Sequence, residues 1–270
     1  MDWKTQLKNN ITTADEVNEA LNWNLSEEDK IKLENIIGRY PMSIPEYYLS
    51  LINKEDPDDP IRKLCVPSIL ETDMSGSFDI SDEASNTVVN GLQHKYKQTA
   101  MYLSTNRCAM YCRHCFRKRL VGANDNEINK NFDEVVNYVK NHEEITNVLV
   151  SGGDSFMNSN EKIRKILDEF MKIDHIDFIR FGTRIPVVLP QRIYEDDELL
   201  DILQNYNKIK QIYVVTHFNH PNEITEEAKR AVEALRYIGI VVRNQTVLLK
   251  GINDNSDTMA GLMNGLTEIG

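Results

Sequence analysis

From residue 99 onward, short β-rich runs alternate with amphipathic stretches five times, and few architectures accommodate that order. "TAMYLSTN" predicts a strand and "NFDEVVNYVKNH" the helix that follows it. "TNVLVSGG" with "NEKIRKILDEFMKI" repeats the pair, as do "DFIRFGTR" with "DDELLDILQNY", "KQIYVVTHF" with "ITEEAKRAVEALRYIG", and "VVRNQTVLL" with "SDTMAGLMNGLTEIG". A parallel neighbour is reached only by a crossover connection, so this alternation predicts a parallel sheet. A doubly wound sheet and a barrel both satisfy the pattern. In either one, the loops after the strands build the functional face. Four successive strands end in chemically loaded words: a cysteine loop, then "SGGD", "GTRIP" and "THFNHPNE". Their position predicts that they converge on one pocket.

Residues 1–95 have a different texture and are expected to be mostly helical. "TADEVNEALNW" and "SEEDKIKLENIIGRY" each open with Thr or Ser followed by acidic residues, an N-cap pattern. "DPDDP" is a breaker. The division expected is a helical region over 1–95 and a strand–helix domain over 96–270.

The hydrophobic fraction of 41% is enough for a sizeable core, and the charged fraction of 27% is ordinary for a globular chain. The formal net charge of -11 disfavours non-specific attachment to nucleic acid or to an anionic membrane. There is no apolar run long enough to span a bilayer, and "MDWKTQLKNN" lacks the apolar core of a secretory signal. A cytoplasmic location is therefore expected, where thiols stay reduced and clustered cysteines point to metal more than to disulfides.

Three of the four cysteines, Cys108, Cys112 and Cys115, stand in one loop as CxxxCxxC, followed by Arg117, Lys118 and Arg119. A zinc site would need a fourth ligand, for which Cys65 or His114 is available. A four-iron cluster usually takes four thiolates, so three would leave one iron open to a ligand.

CxxxCxxC after the first strand of a βα series resembles the radical S-adenosylmethionine (SAM) superfamily. The resemblance implies a [4Fe-4S] cluster on Cys108, Cys112 and Cys115. It implies that the open iron binds the amino and carboxylate groups of SAM, and that one electron then cleaves the sulfonium to a 5'-deoxyadenosyl radical. His114 takes the place of the family's aromatic residue beside the last cysteine and is expected to pack on the adenine or the cluster. "SGGD", with Ser151, Gly152, Gly153 and Asp154, resembles the family's Gly-Gly-acid element. Its glycines are expected to let backbone approach the ligand, and Asp154 to accept from the SAM amino group.

The match narrows further. "CAMYCRHCFRKRLVG", "LVSGGD", "RFGTRIPVVLPQRI", "THFNHPNEIT" and "NQTVLLKGIND" are similar in order and spacing to the lysine 2,3-aminomutase family, from about residue 90 onward. That similarity implies a partial TIM barrel of the (βα)6 type. It implies transfer of an amino group from the α to the β carbon of a basic amino acid, L-lysine first, carried on a pyridoxal phosphate (PLP) aldimine. Arg117 matches the arginine expected on the substrate carboxylate, and Asp254 the aspartate expected on the distal ammonium. His217 and His220 are expected to shape the pocket and not to bind metal, and Arg184 and Gln191 to line the same face. An electron donor such as flavodoxin or ferredoxin is implied, and an open barrel edge makes a homo-oligomer an option.

The pattern departs from the family in two places. The Schiff-base lysine is expected beyond Gly270, and Lys250 does not replace it. The arginines expected on the PLP phosphate are replaced around "QHKYKQTA", where Lys95 or Lys97 is the available cation. A protein that cleaves SAM without moving an amino group, and a non-enzymatic iron–sulfur or zinc module, are the alternatives.

Overall fold

The computed structural model describes residues 3–73 and 75–270. Its centre is one sheet of seven strands in sequence order: β1 (Thr87–Val89), β2 (Leu92–Tyr96), β3 (Thr99–Thr105), β4 (Asn147–Gly152), β5 (Phe178–Gly182), β6 (Gln211–Thr216) and β7 (Val241–Asn244). β3 to β7 pair in parallel, each with the next. The expected partial barrel is present as this open sheet.

All five predicted helices form, four of them as crossovers between parallel strands. The chain first passes α1 (Trp3–Lys8), α2 (Ala14–Leu21), α3 (Glu27–Arg39), α4 (Glu46–Leu49) and α5 (Pro60–Cys65). The crossovers begin with α6 (Phe132–Lys140) and α7 (Asn160–Phe170). After β5 come two single turns, α8 (Ile185–Val188) and α9 (Gln191–Tyr194), then α10 (Asp197–Asn207). α11 (Glu226–Tyr237) and α12 (Ser256–Ile269) complete the set. Caps fix the starts: Thr13 and Glu16 form a capping box on α2, and Ser159, Asp196 and Thr225 accept backbone N–H bonds at α7, α10 and α11. Among the described residues no helix is long and apolar enough to cross a membrane.

Strand alternation decides the two faces. Tyr102, Val150, Ile179, Phe181, Ile212 and Val214 are buried against the helices. Their neighbours Met101, Leu149, Arg180 and Tyr213 share one row and are partly open on the other face. The N-terminal region contributes Val17, Ile44, Tyr48 and Leu64 to the same continuous core.

Two expectations need correction. Residues 1–95, expected to be mostly helical, also carry two strands: β1 and β2 form an antiparallel hairpin that extends the sheet beyond β3, and the expected boundary at 95/96 falls inside β2. The hairpin turns on Asn90-Gly91, with Gly91 at φ +76°. The last predicted strand is shorter than "VVRNQTVLL". After Asn244 the backbone is satisfied by side chains instead: Val247 donates to Asn219 Oδ1 (2.8 Å), and Asn253 Nδ2 donates to the Val247 carbonyl (2.9 Å).

Candidate active site

The cysteine loop leaves β3 and is tied shut at its far end, where the Gly122 N–H donates to the Asn106 carbonyl (2.9 Å). The N-terminal region pins it from outside. Asn10 Nδ2 donates to the Ala109 carbonyl (2.8 Å), and the Arg113 N–H donates to the Leu64 carbonyl (2.9 Å). Within the loop, the Cys115 N–H donates to the Cys112 carbonyl (3.1 Å). All three thiols are free, and so is Cys65.

Burial pushes the Cys115 thiol up to about 11, with Cys112 adding to it, and pushes Cys108 well above the usual range. Such sulfurs become thiolates only with compensating positive charge, which iron supplies. Two donors already point at them: the Arg117 N–H at Cys115 Sγ (3.4 Å) and Arg184 Nη1 at Cys112 Sγ (2.9 Å). This donor set fits an iron–sulfur cluster.

Among the described residues no group of three or more His, Cys, Asp or Glu side chains is placed to hold a single metal ion. Cys65 is turned to the Ile61 carbonyl within α5 (3.2 Å). His114 Nδ1 is buried without a partner, and burial, then Arg184, lowers its pKa to about 3. The ring lines a cavity of about 300 Å³ together with Cys115, Phe116, Arg113, Lys118 and Tyr40.

"SGGD" meets this loop. The close approach that the glycines allow is made by the chain's own backbone. A Cβ on Gly152, at φ +113°, would lie 2.3 Å from the Thr105 carbonyl oxygen, and one on Gly153 would lie 2.4 Å from that of Arg107. Asp154 is 5% exposed and already holds three donors: the Thr183 hydroxyl (2.6 Å), the Arg184 N–H (2.7 Å) and the Phe156 N–H (3.0 Å). It clamps the end of β4 to the turn after β5, and burial raises its pKa in spite of these bonds. Ser151 Oγ accepts from Arg117 Nη1 (3.1 Å).

Arg117 is 5% exposed, and the carboxylate it binds is internal. Nε donates to Glu83 (2.9 Å), and Nη1 also reaches the Gly152 carbonyl (3.2 Å). The whole basic cluster is answered in this way. Arg119 pairs with Glu83 and Glu127 (both 2.8 Å), Lys118 with Glu71 (2.7 Å), and Arg113 with Glu71 (2.6 Å). Burial works against the Glu83 charge, yet Arg117 and then Arg119 outweigh it and hold the carboxyl below its usual range.

Lys95 lies away from the cysteine loop. Because β2 runs antiparallel to β3, Lys95 sits near the start of β3, where its ammonium bonds the Ser81 carbonyl (3.0 Å). The cysteines follow the end of that strand, roughly 20 Å away at about 3.3 Å per residue. Asp254 is exposed and closes its own turn by accepting from the Gly251 N–H (2.8 Å), which is how a turn aspartate behaves. Gln191 opens α9 in the outer helical layer. His220 caps the short turn Pro221–Glu223.

Arg184 does join the site, and it brings residues that the sequence did not mark. Its guanidinium reaches the His217 carbonyl (3.1 Å), the Tyr48 hydroxyl (3.1 Å), Cys112 and the Glu223 carboxylate. Glu223 is fully buried and accepts from the Asn219 N–H (2.5 Å), the His220 N–H (3.1 Å) and the Tyr48 hydroxyl (2.5 Å). "THFNHPNE" is thus a frame that presents one carboxylate to one guanidinium.

A partial barrel of parallel strands with a three-cysteine loop after its first parallel strand defines a class. Residues 102–263 match the family model of the Radical SAM superfamily, and membership of that superfamily implies a [4Fe-4S] cluster and SAM. The chain is 44% identical over 272 residues to a protein of Aquifex aeolicus provisionally named L-lysine 2,3-aminomutase. It is 42% identical to the L-lysine 2,3-aminomutase of Acetoanaerobium sticklandii and 37% identical to the glutamate 2,3-aminomutase of Clostridioides difficile. Each match covers 99% of this chain, which spans 71%, 64% and 63% of those proteins respectively. The chain belongs to the lysine 2,3-aminomutase family of the radical SAM superfamily.

Proposed function

We propose that the protein is a radical SAM aminomutase that moves the α-amino group of an amino acid to the β carbon. The observation that carries this reading is identity of 36–44% to named 2,3-aminomutases along nearly the whole chain, with the cysteine loop intact. L-Lysine is the first candidate substrate because the relatives at 42–44% bear that name, and L-glutamate is the second. When bound, the cluster and SAM supply a 5'-deoxyadenosyl radical, and PLP carries the migrating amino group.

The chain's own residues do the holding. Cys108, Cys112 and Cys115 anchor the cluster, and His114 offers a neutral imidazole beside it. Asp154 fixes the turn that carries Arg184. Arg117 meets a substrate carboxylate only by exchanging Glu83 for it. A low-potential donor of the flavodoxin or ferredoxin kind supplies the electron.

A second reading is SAM cleavage without amino transfer. The positions of Lys95 and Asp254, away from the cysteine loop or committed to a turn, favour it. The test is anaerobic reconstitution with iron, sulfide, SAM, PLP and dithionite, followed by chromatography of amino acids and nucleosides. β-Lysine or β-glutamate together with 5'-deoxyadenosine is the expected outcome. 5'-Deoxyadenosine formed without any β-amino acid would overturn the aminomutase reading in favour of the second.

A further inference from the structure

The cysteine loop receives a cation from a distant strand end, and neither the family match nor the relatives' names give that cation a role. Arg184 stands in the turn after β5, with its backbone N–H held by Asp154 (2.7 Å). Its side chain is 8% exposed and surrounded by four acceptors, of which Cys112 Sγ, 2.9 Å from Nη1, is the only sulfur. Its counter-ion Glu223 is fully buried, and that carboxylate is shared with two backbone N–H groups and the Tyr48 hydroxyl. The cation is therefore only partly neutralised by its acid, and it sits in a region where little water screens it.

We propose that Arg184 is a positioning residue for the redox step: its Nη1–H bond to Cys112 Sγ raises the reduction potential of the cluster, and Glu223 sets how much of the guanidinium charge the cluster feels. The proposal rests on the cluster being held by Cys108, Cys112 and Cys115. Reduction adds one electron from the low-potential donor to [4Fe-4S]2+ and gives [4Fe-4S]+, with no proton and no bond broken. The added charge spreads onto the sulfurs. A hydrogen bond to a ligand sulfur and a nearby positive charge both favour the more negative state, which is how proteins tune such clusters. The tie has a second effect: Asp154 links β4 to the Arg184 turn, so the cluster's electrostatic partner is fixed by the sheet and not by the cysteine loop itself.

The experiment compares the wild type with Arg184→Gln, Arg184→Lys and Glu223→Gln. Each is reconstituted anaerobically, assayed for iron and sulfide, and titrated with dithionite under EPR without substrate. Arg184→Gln is expected to make reduction about tenfold less favourable, a shift of about 59 mV to more negative potential for one electron. Arg184→Lys is expected to fall between it and the wild type. Glu223→Gln leaves the guanidinium in place without its acid and is expected to shift the other way. Coincident midpoints, or a negative shift in Glu223→Gln, would overturn the proposal. If Arg184→Gln fails to hold iron, the sign of the Glu223→Gln shift decides. If the wild type itself takes up no four-iron cluster, the cluster assignment falls and the proposal falls with it; a loaded wild type with unmoved variants sinks the proposal alone.

Discussion

Glu83 is 2% exposed and carries two guanidinium groups, those of Arg117 and Arg119. Removing one partner from a buried pair leaves charge in a place water cannot reach, so Glu83→Ala should cost about 3–5 kcal/mol. The Lys30–Glu27 pair at the surface is a fitting control, because Glu27→Ala should cost far less. Urea denaturation of the two variants checks the contrast, and equal losses would mean that Glu83 is not a structural counter-ion. At this scale the sequence told half the story. The cysteines were legible because their spacing is chemistry that few other contexts require. Glu71, Glu83 and Glu223 were not, because each meets its cation 34 to 47 residues away in sequence and nothing local separates them from the rest of 42 acidic residues. One signal was available: a loop rich in arginine within a chain of net charge -11 must find its acids somewhere.

Among the elements, the five βα units were legible because two periodicities, of two and of 3.6 residues, alternate cleanly along the chain. The Asn90-Gly91 turn is a clear hairpin signal, but the strands it joins are short and only half apolar. The loop after β7 was not legible. Its strand-like composition is overridden by Asn219 and Asn253, which capture the backbone groups that a ladder would have used. The seam between β3 and β4 carries the sharpest prediction at this scale. Gly152 combines φ +113° with backbone where its Cβ would go, and neither neighbour is a flexible side chain. Gly152→Ala should lose at least about 2 kcal/mol and most of its iron uptake. Gly38→Ala, on a helix with open space around it, should gain about 0.5–1 kcal/mol. Thermal denaturation and iron content read both; normal iron uptake in Gly152→Ala would mean that the seam does not shape the cysteine loop.

At the scale of the whole molecule, the two buried histidines make stability depend on pH in one direction, against the raised carboxyl of Asp154. Burial, then Arg184, lowers His217 to about 4, and burial lowers His114 to about 3, against 6.5 for a free histidine. Below pH 6.5 the unfolded chain therefore binds protons that the folded chain refuses, and stability falls as the pH drops. Each histidine adds a slope of about 1.36 kcal/mol per pH unit at most. The lowered carboxyls of Glu71 and Glu83 continue the trend, because their contribution is present above 4.5 and is lost as the pH falls through their folded values. Urea titrations of the cluster-free protein from pH 7.5 to 4 should show this loss. His217→Gln should remove one proton's share between 6.5 and 4, and an unchanged slope would mean that His217 titrates normally.

The four groups around Arg184 come from residues 48, 112, 217 and 223: one before β3, one between β3 and β4, and two after β6. During synthesis the thiols emerge more than a hundred residues before the Glu223 that completes this set. The loop proposed to hold the cluster is thus made early, and the cation and acid that face Cys112 can join it only once the far side of the sheet has folded.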